Sequence, residues 1–168
     1  MKDTNPYFAS AEGQGGYEVR WAKTEEWKPA MTMIWKTFME FDSRDYTDEG
    51  IRNFFEFITD DDLYRSFLNG AYQLMVALDG ERIVGAASIR NSNHLSLLFV
   101  DGEYHKRGIG RTLMDRLCRY LELEEGEKYM SLKAAPCALG FYRKLGFIAV
   151  KPEEEIAGIR VTPMEKFF

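Results

Sequence analysis

The segment from His94 to Arg119 constrains the chain most. His94-Leu95-Ser96-Leu97-Leu98-Phe99-Val100 is a nearly unbroken apolar run. Such a run reads as a strand buried on both faces. The chain then turns through Asp101-Gly102 and His105-Lys106-Arg107-Gly108-Ile109-Gly110 into a helical pattern. From about Arg107 to Glu124, Ile109, Leu113, Leu117 and Leu121 recur every four residues, and Met114 and Tyr120 widen the apolar face. A buried strand feeding a long amphipathic helix requires an α/β fold. The two glycines of the turn let backbone N–H groups approach a ligand without an intervening Cβ. The first N–H groups of a helix also lack internal partners and lie at the positive end of its dipole, which makes an anion site. Lys106, Arg107 and Arg111 add side-chain charge there, and Thr112 follows them. Taken alone, Gly108 and Gly110 also fit plain turn glycines on a basic helix start.

The rest of the chain supplies the partners of this unit. Tyr17 to Lys23 alternates as a strand, with Tyr17, Val19 and Trp21 on one side. Thr24 reads as a helix N-cap with Glu25 and Glu26 in the first turn. Helical spacing follows at Met31, Ile34, Trp35, Phe38 and Met39, ended by a polar break from Asp42 to Tyr46. A second helix starts after Thr47 and carries Ile51, Phe54, Phe55 and Ile58, and Asp60 to Asn69 admits a third short one before Gly70. Tyr72–Leu78 and Ile83–Ile89 flank Asp79-Gly80, a strong hairpin signal. Past Gly126, Tyr129–Leu132 reads as a strand and Pro136–Leu145 as a short helix closed by Gly146. Phe147–Val150 and Gly158–Met164 read as final strands around an acidic loop, Pro152 to Glu155. The predicted order is β-α-α-β-β-β-α-β-α-β-β.

Composition narrows the function classes. A chain of 168 residues has room for one domain. Residues 17–168 are expected to form it, preceded by a flexible tail over residues 1–16. The formal net charge is −5, which disfavours nucleic acid as a partner. The balance inverts locally, with five Lys/Arg against Asp115 alone from His105 to Arg119. Two cysteines and two histidines in no ligand spacing give no expectation of a metal. Cys118 lies in the apolar helical pattern as a buried small hydrophobe. No apolar run approaches the ~18 residues of a membrane helix, and the N-terminus shows no signal-peptide pattern. A reducing cytoplasm is the expected compartment.

Other phosphate loops do not fit the turn. No Gly-Lys-Ser/Thr sequence occurs in it, and a dinucleotide fingerprint would need a third glycine and a following acidic strand end. The strand, His105-Lys106-Arg107-Gly108-Ile109-Gly110 and the long helix together resemble the [Q/R]-x-x-G-x-[G/A] acetyl-CoA signature of the GNAT N-acetyltransferase superfamily. Phe141-Tyr142-Arg143-Lys144-Leu145-Gly146-Phe147 is similar to a second segment of that family, F/L-Y-x-K-L-G-F. The element order matches over about residues 17–168. Two positions depart from the pattern. His105 stands where the family has Gln or Arg, and Pro136 where many relatives carry an asparagine that touches the pantetheine arm.

The resemblance implies a single GNAT acyl-CoA fold with a mixed, mostly antiparallel sheet flanked by helices. It implies acetyl-CoA as cosubstrate and a primary amine as acceptor, with direct attack in a ternary complex and no metal. The other reading is a GNAT-like module that binds acyl-CoA without transfer. Leu98, Phe99 and Val100 would pair with the pantetheine arm, and His105 through Thr112 would hold the pyrophosphate. Tyr142 matches the family tyrosine that faces the CoA sulfur and is the expected general acid, although its helix pattern alone fits a core tyrosine. His94 is the candidate base, with a strand-edge histidine satisfied by a hydrogen bond as the equal alternative. Cys137 is a weaker nucleophile candidate. The acidic stretch Glu40, Asp42, Asp45, Asp48 and Glu49 reads as a solvated charge run or as an attraction for a cationic amine. Dimers are common in the family, so a homodimer is admitted.

Overall fold

The computed structural model describes residues 16–168. The tail expected over residues 1–16 lies outside them, apart from Gly16. The chain opens with β1 (Glu18–Trp21) and α1 (Trp27–Thr37). A π-helical turn, Phe38–Asp42, and a 3-10 turn, Ser43–Asp45, follow without a break. Next come α2 (Asp48–Ile58), α3 (Asp61–Leu68), β2 (Gln73–Asp79), β3 (Arg82–Arg90) and β4 (His94–Val100). The long helix is α4 (Ile109–Arg119), extended by a π turn over Tyr120–Glu124. The chain ends with β5 (Tyr129–Ala134), α5 (Leu139–Lys144), β6 (Ile148–Ala149), β7 (Glu154–Ile156) and β8 (Ile159–Phe167).

The strands form an open mixed sheet in the order β1-β2-β3-β4-β5-β8-β6, with β7 paired to β8. Every pairing is antiparallel except β4 with β5. Helices cover both faces. On one, Leu113, Met114, Leu117 and Leu121 pack against Met75, Ala77, Val84, Ala87 and Leu95. On the other, Trp27, Ala30, Met31 and Ile34 meet Leu74, Val76, Leu78, Ala86 and Leu97. Burial of each large aliphatic side chain contributes about 1.5–3 kcal/mol. The period of four read along α4 is thus its sheet-facing stripe. Gly85 on β3 lets α4 come close, since a Cβ there would lie 2.9 Å from Ile109 Cγ2 and 3.1 Å from Leu113 Cδ1. Cys118 is buried among these side chains, and burial pushes its thiol up to about 11.

Several local features depart from the sequence pattern. The first cap is not Thr24. A 3-10 turn over Thr24–Glu26 precedes α1, and the Glu26 carboxylate accepts from the Lys23 N–H at 2.7 Å. Arg20 of β1 also donates to that carboxylate at 2.7 and 3.0 Å, which draws the turn onto the strand. The third short helix is formed, with Asp60 accepting from the Asp62 N–H at its start. The acidic segment is partly a strand. Glu154–Ile156 pairs with β8 around Ala157 and Gly158, both at positive φ.

That last turn ties the two ends of the fold together. Thr47 caps α2 by accepting from the Gly50 N–H at 3.1 Å, and its own N–H donates to the Gly158 carbonyl at 3.3 Å. Asn53 donates to the Ala157 carbonyl at 3.2 Å, and Tyr46 forms a bridge with Ile159. A Cβ at Gly158 would collide with the Thr47 hydroxyl. No helix among the described residues is long and apolar enough to cross a membrane.

Candidate active site

The site originates in an irregularity of β4. Ser88 pairs with Leu97 and Ile89 with Leu95, so Ser96 is an extra residue that bulges the strand. The buried Tyr72 hydroxyl fixes the bulge, sharing a 2.7 Å hydrogen bond with Ser88 Oγ and donating to Ser96 Oγ at 3.0 Å. On its other edge β4 meets β5 in register only at His94 and Ser131, after which the two strands diverge. The run therefore is not buried on both faces. Only Leu95 and Leu97 are buried, and Leu98, Phe99 and Val100 are half-exposed because β5 has moved away.

The gap between the strands is a cavity of about 230 Å³. Its walls include Leu95–Val100 from β4, Leu132 and Lys133 from β5, and Cys137 and Tyr142 from the short helical segments. The π turn after α1 and the α2 region add Phe41, Asp42, Tyr46 and Phe54. Tyr142 is buried, with edge contacts to Phe141 at 5.2 Å and Phe147 at 5.7 Å between ring centres. Burial, then the charges of Asp42 and Cys137, push its hydroxyl well above the usual tyrosine range. The Asp42 side chain makes no hydrogen bond or ion pair among the described residues. Burial and the neighbouring Asp45 lift its carboxyl to about 6, against an opposing pull from His105. Tyr46 is raised to about 12, chiefly by burial and then by Asp42.

The basic turn closes one end of this gap. His105 Nε2 donates to the Val100 carbonyl at 2.7 Å, and its ring lies 4.6 Å from that of Phe41. Gly102 makes room for Phe41, because a Cβ there would come within 2.7 Å of the ring. Gly108 takes φ +79°, a left-handed conformation that glycine adopts without strain, and caps α4. Thr112 donates from both its N–H and its hydroxyl to the Gly108 carbonyl, at 3.0 and 2.9 Å. Gly108, Arg111, Thr112, Asp115, Arg116 and Arg119 line a second depression of about 520 Å³. Lys106 is exposed. Arg107 turns sideways, donating to the Tyr17 hydroxyl at 3.0 Å and covering the Tyr104 ring.

The expected site residues thus fall into two groups. Leu98, Phe99, Val100, His105 and Tyr142 converge on the gap, and Gly108, Arg111 and Thr112 border the adjoining basic depression. Ile109 is buried beneath the helix start, and Gly110 sits beside Val100 and Phe141. His94 is not in the gap. It lies where β4 and β5 are still joined, its Nδ1 is 2.9 Å from Ser131 Oγ, and the cavity walls begin at Leu95. Burial, then Arg90 and Lys133, bring its imidazole down to about 4. Cys137 does line the gap, but burial and the charges of Asp42 and Asp45 push its thiol up, away from the thiolate form.

The sequence pattern missed Asp42 as an individual residue. The sequence groups it with the acidic stretch, although it continues the stripe Met31-Ile34-Trp35-Phe38 by four more residues. A carboxylate in register with an apolar stripe was the available signal. The π turn holds it on the sheet side of the helix, where it borders the gap.

The geometry has relatives. A family model described as an acetyltransferase (GNAT) domain matches residues 42–168. The chain is 31% identical over 102 residues to a Bacillus subtilis protein described as an acetyltransferase, spanning 59% of this chain and 69% of that one. A GCN5-related N-acetyltransferase structure from Rhodopseudomonas palustris superposes with a TM-score of 0.77 at 23% identity, over 89% of this chain and 94% of that one. The PaiA N-acetyltransferase of Thermoplasma acidophilum, solved in complex with coenzyme A, superposes with a TM-score of 0.74 at 16% identity, over 90% and 99%. At those identities the solved structures speak for the fold. With the family model and the sequence relative, they establish that this chain belongs to the GNAT acetyltransferase family.

Proposed function

We propose that residues 17–168 form one domain that transfers acetyl from acetyl-CoA to a primary amine by direct attack in a ternary complex. The observation that carries this reading is the gap between β4 and β5, with Tyr142 in its wall and the glycine turn at its end. The edge of β4 that faces the gap has lost its strand partner, so Leu98, Phe99 and Val100 offer backbone groups to the amides of a pantetheine arm. The first N–H groups of α4 after Gly108, with Lys106 and Arg111, offer donors and charge to a pyrophosphate. Arg107 contributes through its contacts with Tyr17 and Tyr104, which hold the turn in place.

The thioester carbonyl carbon bonds to the amine nitrogen, and the carbon–sulfur bond breaks with its electron pair on sulfur. Tyr142 supplies the proton that sulfur takes. Burial keeps the hydroxyl protonated at neutral and mildly alkaline pH, which is the form a donor must have.

Calorimetric titration with acetyl-CoA, followed by a thiol-release assay over a panel of primary amines and a lysine peptide, tests the reading. Saturable binding together with thiol release on at least one amine is expected. Binding with no release on any of them would make the chain an acyl-CoA-binding module instead, and absence of binding would end both readings.

A further inference from the structure

We infer that Asp42 is the carboxylate that receives the acceptor's proton, and that the acceptor reaches the thioester from the π-turn side of the gap as a small cationic amine. This rests on the transfer reading above and names the group which that reading leaves open.

Three observations place Asp42 in this role. First, it is the one carboxylate among the described residues that wall the gap, on a wall formed by α1, its π turn and α2 rather than by the glycine turn. Second, no hydrogen bond or ion pair occupies it among the described residues. Three acids near the turn are engaged instead: Arg82 reaches Asp101 at 3.2 Å and Glu103 at 3.0 Å, and Tyr104 donates to Asp79 at 2.6 Å. Third, its charge is felt at both Tyr142 and Cys137, so it shares a microenvironment with the proposed acid. Phe41, Tyr46, Phe54 and Phe99 surround this side with rings, so the carboxylate sits in a largely apolar wall with Asp45 and His105 as its charged neighbours. A desolvated anion of this kind favours a protonated amine over a neutral or anionic group. The helix start is basic, so the two ends of the gap discriminate between a phosphorylated donor and a cationic acceptor.

The proton accounting closes. The ammonium loses one proton to solvent, and the neutral nitrogen bonds to the carbonyl carbon. As that bond forms, a second N–H proton passes to an Asp42 oxygen. The sulfur leaves with the electron pair of the broken C–S bond and takes the Tyr142 proton. Solvent exchange then returns a proton to Tyr142 and removes the one on Asp42. The two steps assist each other, because a protonated Asp42 no longer raises the Tyr142 hydroxyl. A carboxyl at about 6 is matched to a nitrogen made acidic by bond formation. The other titratable groups around Asp42 are Asp45 and Tyr46 beyond the π turn, His105 from the glycine turn, Lys133 from β5, and Cys137 and Tyr142.

The test uses the full chain, acetyl-CoA and the best amine from the panel. Below about pH 6 the wild-type log kcat/KM for the amine should steepen from a slope of one to a slope of two, since amine and Asp42 must both be deprotonated. Asp42→Asn should lower kcat/KM by about 100-fold or more and keep a slope of one. It should bind acetyl-CoA in calorimetry as the wild type does, which also shows that it is folded. His105→Gln should keep the steepening, whatever its KM for acetyl-CoA. An Asp42→Asn enzyme with wild-type kcat/KM, a wild type that never steepens, or a steepening lost in His105→Gln overturns the assignment while leaving acetyl transfer intact. Absence of thiol release from every amine overturns the transfer reading and this one with it.

Discussion

Replacing Tyr142 by phenylalanine separates chemistry from packing. The side chain is buried, and its ring contacts with Phe141 and Phe147 do not involve the hydroxyl. The hydroxyl has no hydrogen-bond partner among the described residues, so Tyr142→Phe removes one oxygen and breaks no internal bond. The expected stability change is within about 1 kcal/mol. The expected kinetic change is far larger. Loss of a positioned general acid lowers turnover by about 10²–10⁴-fold, which corresponds to about 2.7–5.5 kcal/mol of activation free energy. The KM for acetyl-CoA should change little, because the proposed pantetheine and pyrophosphate contacts lie on β4 and the glycine turn. The assay is thiol release at saturating amine from pH 6 to 10, alongside thermal unfolding of both proteins. A variant with wild-type kcat across that range would refute the acid role. A variant that loses both kcat and several degrees of Tm would show that the hydroxyl is structural.

Other perturbations test the frame around the site. Gly85→Ala places a methyl 2.9 Å from Ile109 Cγ2 and should cost about 1–3 kcal/mol. That should lower Tm by about 2–4 °C per kcal/mol in a scanning experiment. His94 is held down to about 4 in the fold, so as pH falls the unfolded chain binds its proton before the folded one does. Its contribution to stability falls as pH drops from 6.5 to about 4, and His94→Gln should flatten that loss in denaturant titrations across the window. Asp42 acts oppositely there, since its raised carboxyl adds stability on acidification. Glu26 is held below its ordinary 4.5, chiefly by the hydrogen bond from Arg20. That contribution is present above 4.5 and is lost as pH falls below it, and Glu26→Gln should lack this acid-dependent component.

Much of the site was readable from residue order because the relevant signals are local. The apolar run before Gly108, the glycines themselves and the four-residue period of α4 each depend on neighbours within a few positions. Tyr142 was legible through the segment around it. What escaped depends on distant partners. The bulge at Ser96 is pinned by the Tyr72 hydroxyl, and nothing in the sequence around Ser96 announces it. The half-exposure of Leu98 to Val100 follows from where β5 goes, so the run alone read as a fully buried strand. His94 begins the right strand, yet its imidazole is engaged by Ser131 at the joined end. Asp42 needed the helix stripe to be followed past its last apolar residue, through a turn that is not α-helical.

The link between Thr47 and Gly158 has a consequence for how the protein assembles. Its hydrogen bond spans 111 positions, from the start of α2 to the last hairpin. Contacts of such separation form late, because the intervening loop must close first. β1 to β4 and α4 all precede the final hairpin in the chain. Until that hairpin docks, the wall that carries Phe41, Asp42 and Tyr46 keeps its packing on Phe38 and His105 but lacks its ties to the hairpin. The side of the gap proposed to take the acceptor is therefore completed last, when the Ala157-Gly158 turn docks against α2 after the sheet itself has formed.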